Sequence, residues 1–127
     1  MRGMVLTAAL ALATAVPGLA HAEGDPAAGQ RVFNQCRACH TVDQGGRNGV
    51  GPNLFGIVGR KAGSIEGFRY SANLRELAEG GLVWDEARLR TYVQNPKTVV
   101  PRGSMSFPGI RNETQITDLM AYLATLK

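Results

Sequence analysis

The chain has 127 residues, 44% of them hydrophobic, 6% aromatic and 19% charged, with 16 glycines and two cysteines. That length allows one domain and little more, and the apolar fraction argues against disorder. The formal charge of +4 is spread along the chain and poorly interleaved with aromatics, which sets nucleic acid aside as a partner, and no run of about 20 apolar residues is present to span a bilayer.

In chain order, residues 1–22 read as a secretory leader. Met1-Arg2-Gly3 supplies one positive charge, and Met4 to Val16 is an apolar run broken only by threonines. Pro17-Gly18 interrupts any helix, and Ala20-His21-Ala22 has the small-x-small pattern of a cleavage site. The run is too short for a comfortable membrane anchor, so cleavage is expected after Ala22, with residues 23–127 exported to the periplasm as one domain. Those 105 residues carry a net charge of +3, and His40 is their only histidine. So short a chain buries a small core, which a bound cofactor would enlarge. In an oxidising compartment, two free cysteines would otherwise be expected to form a disulfide.

Asp25 before Pro26 predicts a helix start, with the helix running into Asn34. Asp43 to Gly67 holds eight glycines and Pro52 without a sustained period, so it reads as a long functional loop. Ser71 caps a short helix carrying Leu74, Leu77 and Ala78, stopped by Gly80-Gly81. Asp85 starts another, with Leu89, Tyr92 and Val93 on one face, which Pro96 should end. Val99 to Gly109 is a second loop. Asn112 with Gln115 opens a last helix lined by Ile116, Leu119, Met120 and Leu123. No convincing strand is present, so the expected class is all-α with two long loops.

Cys36-Arg37-Ala38-Cys39-His40 is C-x-x-C-H, the attachment signature of c-type haem. Two thiols separated by two residues of a tight turn can each add to one vinyl group of a single porphyrin. The histidine that follows then lies beneath the iron as its proximal ligand. A thioredoxin-like pair would need a βαβ setting, a structural zinc site would need a fourth ligand, and a plain disulfide would close a loop too small to stabilise much.

For the other face of the iron the residues leave methionine, lysine or nothing. Met120 lies on the apolar face of the last helix and reads as a core filler. Met105 sits instead in a loop stiffened by Pro101 and Pro108, which could hold it towards a buried metal. Ligation by His40 and Met105 would leave no open coordination position, and this points to outer-sphere electron transfer rather than peroxide or oxygen chemistry.

Over nearly the whole mature chain the sequence resembles the class I cytochromes c, of the mitochondrial and bacterial c2 type. Gly29 and Phe33, with Leu119 and Tyr122, resemble that family's crossed terminal helices. Gly51-Pro52-Asn53-Leu54 through Gly59-Arg60-Lys61 is similar to its GPNL…GRK stretch. The resemblance implies a small cytochrome c fold around a covalent haem c, with the Pro52 carbonyl accepting from His40 Nδ1. It further implies Arg60, Tyr70 and Trp84 on the haem propionates, Tyr92 near the Met105 sulfur, and Phe107 at the exposed haem edge. The ligand loop departs from the pattern: Arg102 replaces a glycine, and Gly103 and Ser104 stand where a threonine and a lysine are usual. Lysines are also sparse, with only Lys61, Lys97 and Lys127 present. The implied function is a non-enzymatic, monomeric, periplasmic one-electron carrier between respiratory or photosynthetic redox proteins. It would meet membranes only through partner complexes, docking at the haem edge near Arg37, Lys97 and Arg102. The alternative is the haem c subunit of a periplasmic dehydrogenase.

Overall fold

A computed structural model of the chain describes residues 8–11 and 24–127. The expected leader and its cleavage point after Ala22 lie outside the described residues, apart from positions 8–11. Five α-helices, one 3-10 turn and one very short antiparallel ladder make up the regular structure of residues 24–127. Among the described residues, no helix is long and apolar enough to cross a membrane.

The frame is a crossed pair of terminal helices. α1 (Pro26–Val32) starts where the Asp25 carboxylate accepts from the Ala27 amide, and proline at its first position loses no helical bond. It continues into a single 3-10 turn at Phe33–Gln35. The last helix of the chain, Glu113–Ala124, starts where the Asn112 side chain accepts from the Gln115 amide. Gly29 lies at the crossing. A Cβ there would stand 1.9 Å from the Asp118 carbonyl oxygen and 2.8 Å from Tyr122 Cβ, so only glycine lets the two backbones meet. Phe33 packs on Tyr122 with ring centroids 5.6 Å apart. Phe33, Ile116 and Leu119 are each only 1% exposed, and burying a side chain of this kind contributes about 1.5–3 kcal/mol.

Between the terminal helices the chain runs largely as loops pinned by short elements. β1 (Arg60–Lys61) pairs antiparallel with β2 (Val83–Trp84), Arg60 opposite Trp84 and Lys61 opposite Val83. The sequence reading expected no strand here; a two-residue strand is too short to show alternation. The ladder ties the glycine-rich loop to the segment carrying Trp84. α2 (Ala72–Glu79) opens on the Ser71 hydroxyl, which accepts from the Leu74 amide at 3.1 Å. α3 (Glu86–Gln94) opens on Asp85, whose carboxylate accepts from the Arg88 amide at 2.8 Å.

Pro96 does more than end α3. Asn95, in extended conformation, accepts from the Lys97 amide, and Pro96 becomes the first residue of a new turn of helix, α4 (Pro96–Val99). The terminal helix is therefore α5. Arg90 of α3 reaches Glu113 and Thr117 of α5 at 3.3 and 3.1 Å, joining the middle of the chain to its end.

Candidate haem site

The loops and helices surround a cavity of about 380 Å³, within the range of small-molecule and cofactor sites. Its floor is apolar, with Phe33, Ile57, Leu89, Leu119 and Leu123 among its walls. Cys36, Cys39 and His40 all line it, and so do Pro52, Arg60, Tyr70, Trp84, Tyr92, Met105 and Phe107. Every residue that the sequence reading placed around the cofactor therefore meets at one cavity.

The cysteine turn is built by the backbone. The amides of Cys39 and His40 both donate to the Cys36 carbonyl, at 3.1 and 3.0 Å. The turn brings two thiols and an imidazole to one stretch of wall. Both cysteines are free and half-buried. Burial, with a smaller contribution from neighbouring Cys39, pushes the Cys36 thiol up to about 11. No cluster of three or more His, Cys, Asp or Glu side chains suited to a metal ion exists among the described residues.

His40 is fixed from two sides. Its Nδ1 lies 2.8 Å from the Pro52 carbonyl oxygen. A carbonyl only accepts, so Nδ1 carries the proton and Nε2 keeps its lone pair. Burial lowers the His40 pKa from its usual value, against a smaller opposing effect of the Pro52 hydrogen bond, and this favours the neutral imidazole a metal requires. Gly51 backs the ring. A Cβ at that position would stand 2.3 Å from His40 Cε1 and 2.7 Å from Nδ1. The Gly51 amide donates to the Cys39 carbonyl at 2.8 Å, so the backing strand is tied to the cysteine turn itself.

Arg60 is the one charged side chain among the described lining residues, apart from titratable His40. Its guanidinium donates to the carbonyls of Asn53, at 2.8 Å, and Phe55. Burial lowers its pKa from the usual arginine value, with Tyr70 acting in the opposite direction. The Tyr70 hydroxyl accepts from the Ile65 amide at 3.1 Å, which leaves its own proton free to donate. Trp84 packs on Tyr92 with centroids 4.7 Å apart. A single cation with free donors beside it, in an otherwise apolar wall, suits a largely hydrophobic ligand that carries acidic groups at one edge.

The two methionines separate cleanly. Met105 lines the cavity, half-buried. Met120 is 4% exposed and lines a different, smaller cavity with Val58, Glu86 and Ala121. Two thiols, one oriented neutral imidazole, one thioether and an apolar space together fit a covalently attached haem.

The proposed docking residues do not form one free basic cluster. Arg37 donates from Nε to Asn34 at 2.9 Å and lies over the Phe33 ring. Arg102 is paired with Glu76 at 2.9 Å, and Lys97 is exposed on α4.

Sequence reasoning missed one organising residue. Asn53, 7% exposed, donates from Nδ2 to Thr41 Oγ1 and the Asp43 carbonyl, and accepts from the Phe55 amide on Oδ1. Its backbone amide donates to Asn48, and its carbonyl receives Arg60. A buried asparagine with every polar atom engaged knots the glycine-rich loop around the His40 support. The residue stands in the Gly51–Leu54 stretch that carries the resemblance, but that stretch alone gives it no role, because its partners come from other parts of the loop.

A family model described as "Cytochrome c" matches residues 26–127. The chain is 46% identical over 121 residues to cytochrome c-554 of Methylosinus trichosporium, covering 94% of this chain and 89% of that one. It is 49% identical over 105 residues to cytochrome c2 of Rhodoblastus acidophilus, covering 82% and 94%. Among solved structures, cytochrome cH from Methylobacterium extorquens matches with a TM-score of 0.72 and 44% identity, covering 80% of this chain and 99% of that one.

Proposed function

This chain belongs to the cytochrome c family, all-α electron carriers with a covalent haem c, and we infer that its cavity holds the haem by thioether bonds to Cys36 and Cys39, between His40 and Met105. Bound there, haem supplies an iron that gains and loses one electron. The protein's part is to hold that iron still and dry. Pro52 and Gly51 orient His40 so that Nε2 is the ligating atom. Met105 would hold the iron from a separate segment with a neutral thioether, a ligand that raises the reduction potential relative to bis-histidine ligation. The largely apolar walls would keep water away from the group, so that a change in its charge would rearrange little solvent. Arg60 and the Tyr70 hydroxyl would hold the acidic edge of the porphyrin.

The observation that carries this reading is the convergence of both thiols, the imidazole and the Met105 thioether on one apolar cavity. A closed coordination sphere makes the protein a carrier without catalytic turnover, located in the periplasm once the leader is removed after Ala22. Its redox partners dock over the haem edge, with exposed Lys97 the free cation of the three expected docking residues and Arg37 and Arg102 held by Asn34 and Glu76, and it acts as a monomer. The relatives' names give no support to a dehydrogenase subunit. Mature holoprotein should titrate electrochemically as a single one-electron couple, and its reduced form should refuse carbon monoxide. Rapid, stoichiometric binding of carbon monoxide would overturn the closed sphere, and with it the carrier assignment.

A further inference from the structure

The loop that carries Met105 is anchored unevenly. At its start, the Val100 amide donates to the Pro96 carbonyl at 2.9 Å, and the Gly103 amide donates to the Val100 carbonyl at 3.0 Å. At its end, the Ile110 amide donates to the Val93 carbonyl at 2.8 Å. Gly109 (φ +105) sits so close to α3 that a Cβ would lie 2.0 Å from the Gln94 carbonyl oxygen. Residues 104–108 make no hydrogen bond to any other described residue. Held by its ends and by the packing of Phe107, such a segment is the natural place for the fold to open.

Inside the Val100–Gly103 turn that makes the first anchor, one residue carries two bonds to another element. The Arg102 amide donates to Asn73 Oδ1 at 2.8 Å, and its guanidinium donates to Glu76 Oε2 at 2.9 Å. Asn73 and Glu76 lie three residues apart on α2, one helical turn, so a single turn of α2 grips both the backbone and the side chain of Arg102. Asn73 is 8% exposed, one of two buried polar residues among those described, and Arg102 is its partner across 29 residues of chain. The ion pair is different in kind: Arg102 and Glu76 are 73% and 63% exposed.

We propose that Asn73, Glu76 and Arg102 form a clasp that holds the Met105 loop down on the cavity, so that α2 sets how often Met105 leaves the iron. Asn73 and Arg102 are positioning residues that act through Met105. The half of the clasp on buried Asn73 supplies a constant grip, because losing that acceptor leaves a part-buried amide unpaired. The exposed half is an ion pair that salt weakens. Opening of the loop therefore responds to ionic strength through one identifiable pair.

This rests on Met105 as the sixth ligand, and the test keeps the two claims apart. At saturating imidazole, the rate at which oxidised holoprotein binds imidazole reports loop opening, while exchange of the Arg102 amide reports the clasp without reference to the iron. Asn73→Leu, nearly isosteric but unable to accept, should speed both about tenfold. Glu76→Gln should speed both about twofold to fivefold at low salt. In the parent protein both rates should rise with salt, and in Glu76→Gln they should be flat. Glu113→Gln, which breaks the ion pair to Arg90 on the α3–α5 side, should leave both rates unchanged.

A salt response that survives in Glu76→Gln would overturn the clasp, as would an equal acceleration in Glu113→Gln. If Asn73→Leu fails to fold, the salt comparison on Glu76→Gln decides alone. If Arg102 exchange changes as expected but imidazole binding does not, the clasp stands and Met105 is not the group it restrains.

Discussion

Replacing Gly51 by alanine tests how His40 is held. The new Cβ would lie 2.3 Å from His40 Cε1, about 1 Å short of ordinary contact, and it would meet Nδ1 and Nε2 at 2.7 and 2.8 Å. The ring cannot step aside freely, because Nδ1 is bonded to the Pro52 carbonyl at 2.8 Å. Nor can the backbone retreat without breaking the bond from the Gly51 amide to the Cys39 carbonyl. Overpacking of this kind costs about 1–3 kcal/mol, and losing the imidazole hydrogen bond adds about 1 kcal/mol. Alanine also restricts the unfolded chain, which offsets about 0.4–1 kcal/mol. The balance is a loss of about 1–3.5 kcal/mol. Denaturant unfolding of the holoprotein measures it, and a changed visible spectrum of the oxidised protein should accompany it. Gly80→Ala is the control: its Cβ would have nothing nearer than 3.4 Å and its φ is not positive, so stability should be unchanged or slightly higher. A Gly51→Ala protein within about 0.5 kcal/mol of the parent, with an unchanged spectrum, would refute the account of His40.

Gly29→Ala should force α1 and α5 apart against the Asp118 backbone and destabilise by about 2 kcal/mol or more, despite alanine's better helix propensity, as read by urea unfolding. Met120→Leu, nearly volume-conserving in a separate cavity, should cost less than about 1.5 kcal/mol and leave the visible spectrum alone. Replacing Cys36 and Cys39 by alanine should sharply reduce holoprotein yield, and the haem-free chain, with its central cavity unfilled, should show little native helical circular dichroism. Burial raises the Tyr92 hydroxyl from its ordinary value near 10 to about 12, so between those values the folded state holds the proton that the unfolded state has released. Stability should therefore fall as pH rises above about 10, and Tyr92→Phe should remove that part of the fall in a comparison of pH-dependent unfolding.

The parts of the fold legible in the sequence were those that local physics decides. Asp25, Ser71, Asp85 and Asn112 each cap the helix expected of them, because a cap needs only a side chain and the next two or three amides. The cysteine turn and His40 were legible because covalent attachment dictates their spacing. Met105 was separated from Met120 by the contrast between a proline-bounded loop and a periodic helical face, and the two methionines do line different cavities. What escaped the reading depends on segments far apart in the chain. β1 and β2 pair two residues with two, leaving no pattern to read, and α4 begins at the proline expected to end α3. Asn53 gains its role only when Thr41, Asp43 and Asn48 fold onto it. Arg102 looks like a free surface cation until α2 brings Glu76 to it.

On the proposed ligation, His40 and Met105 close the coordination of one covalently held haem. The decisive measurement is the visible absorbance spectrum of oxidised Met105→Ala holoprotein, taken beside the parent and Met120→Leu. The sulfur-to-iron charge-transfer band at the red edge should be present in the parent and in Met120→Leu and absent in Met105→Ala, whose reduced form should then bind carbon monoxide. Persistence of the band in Met105→Ala would contradict the claim.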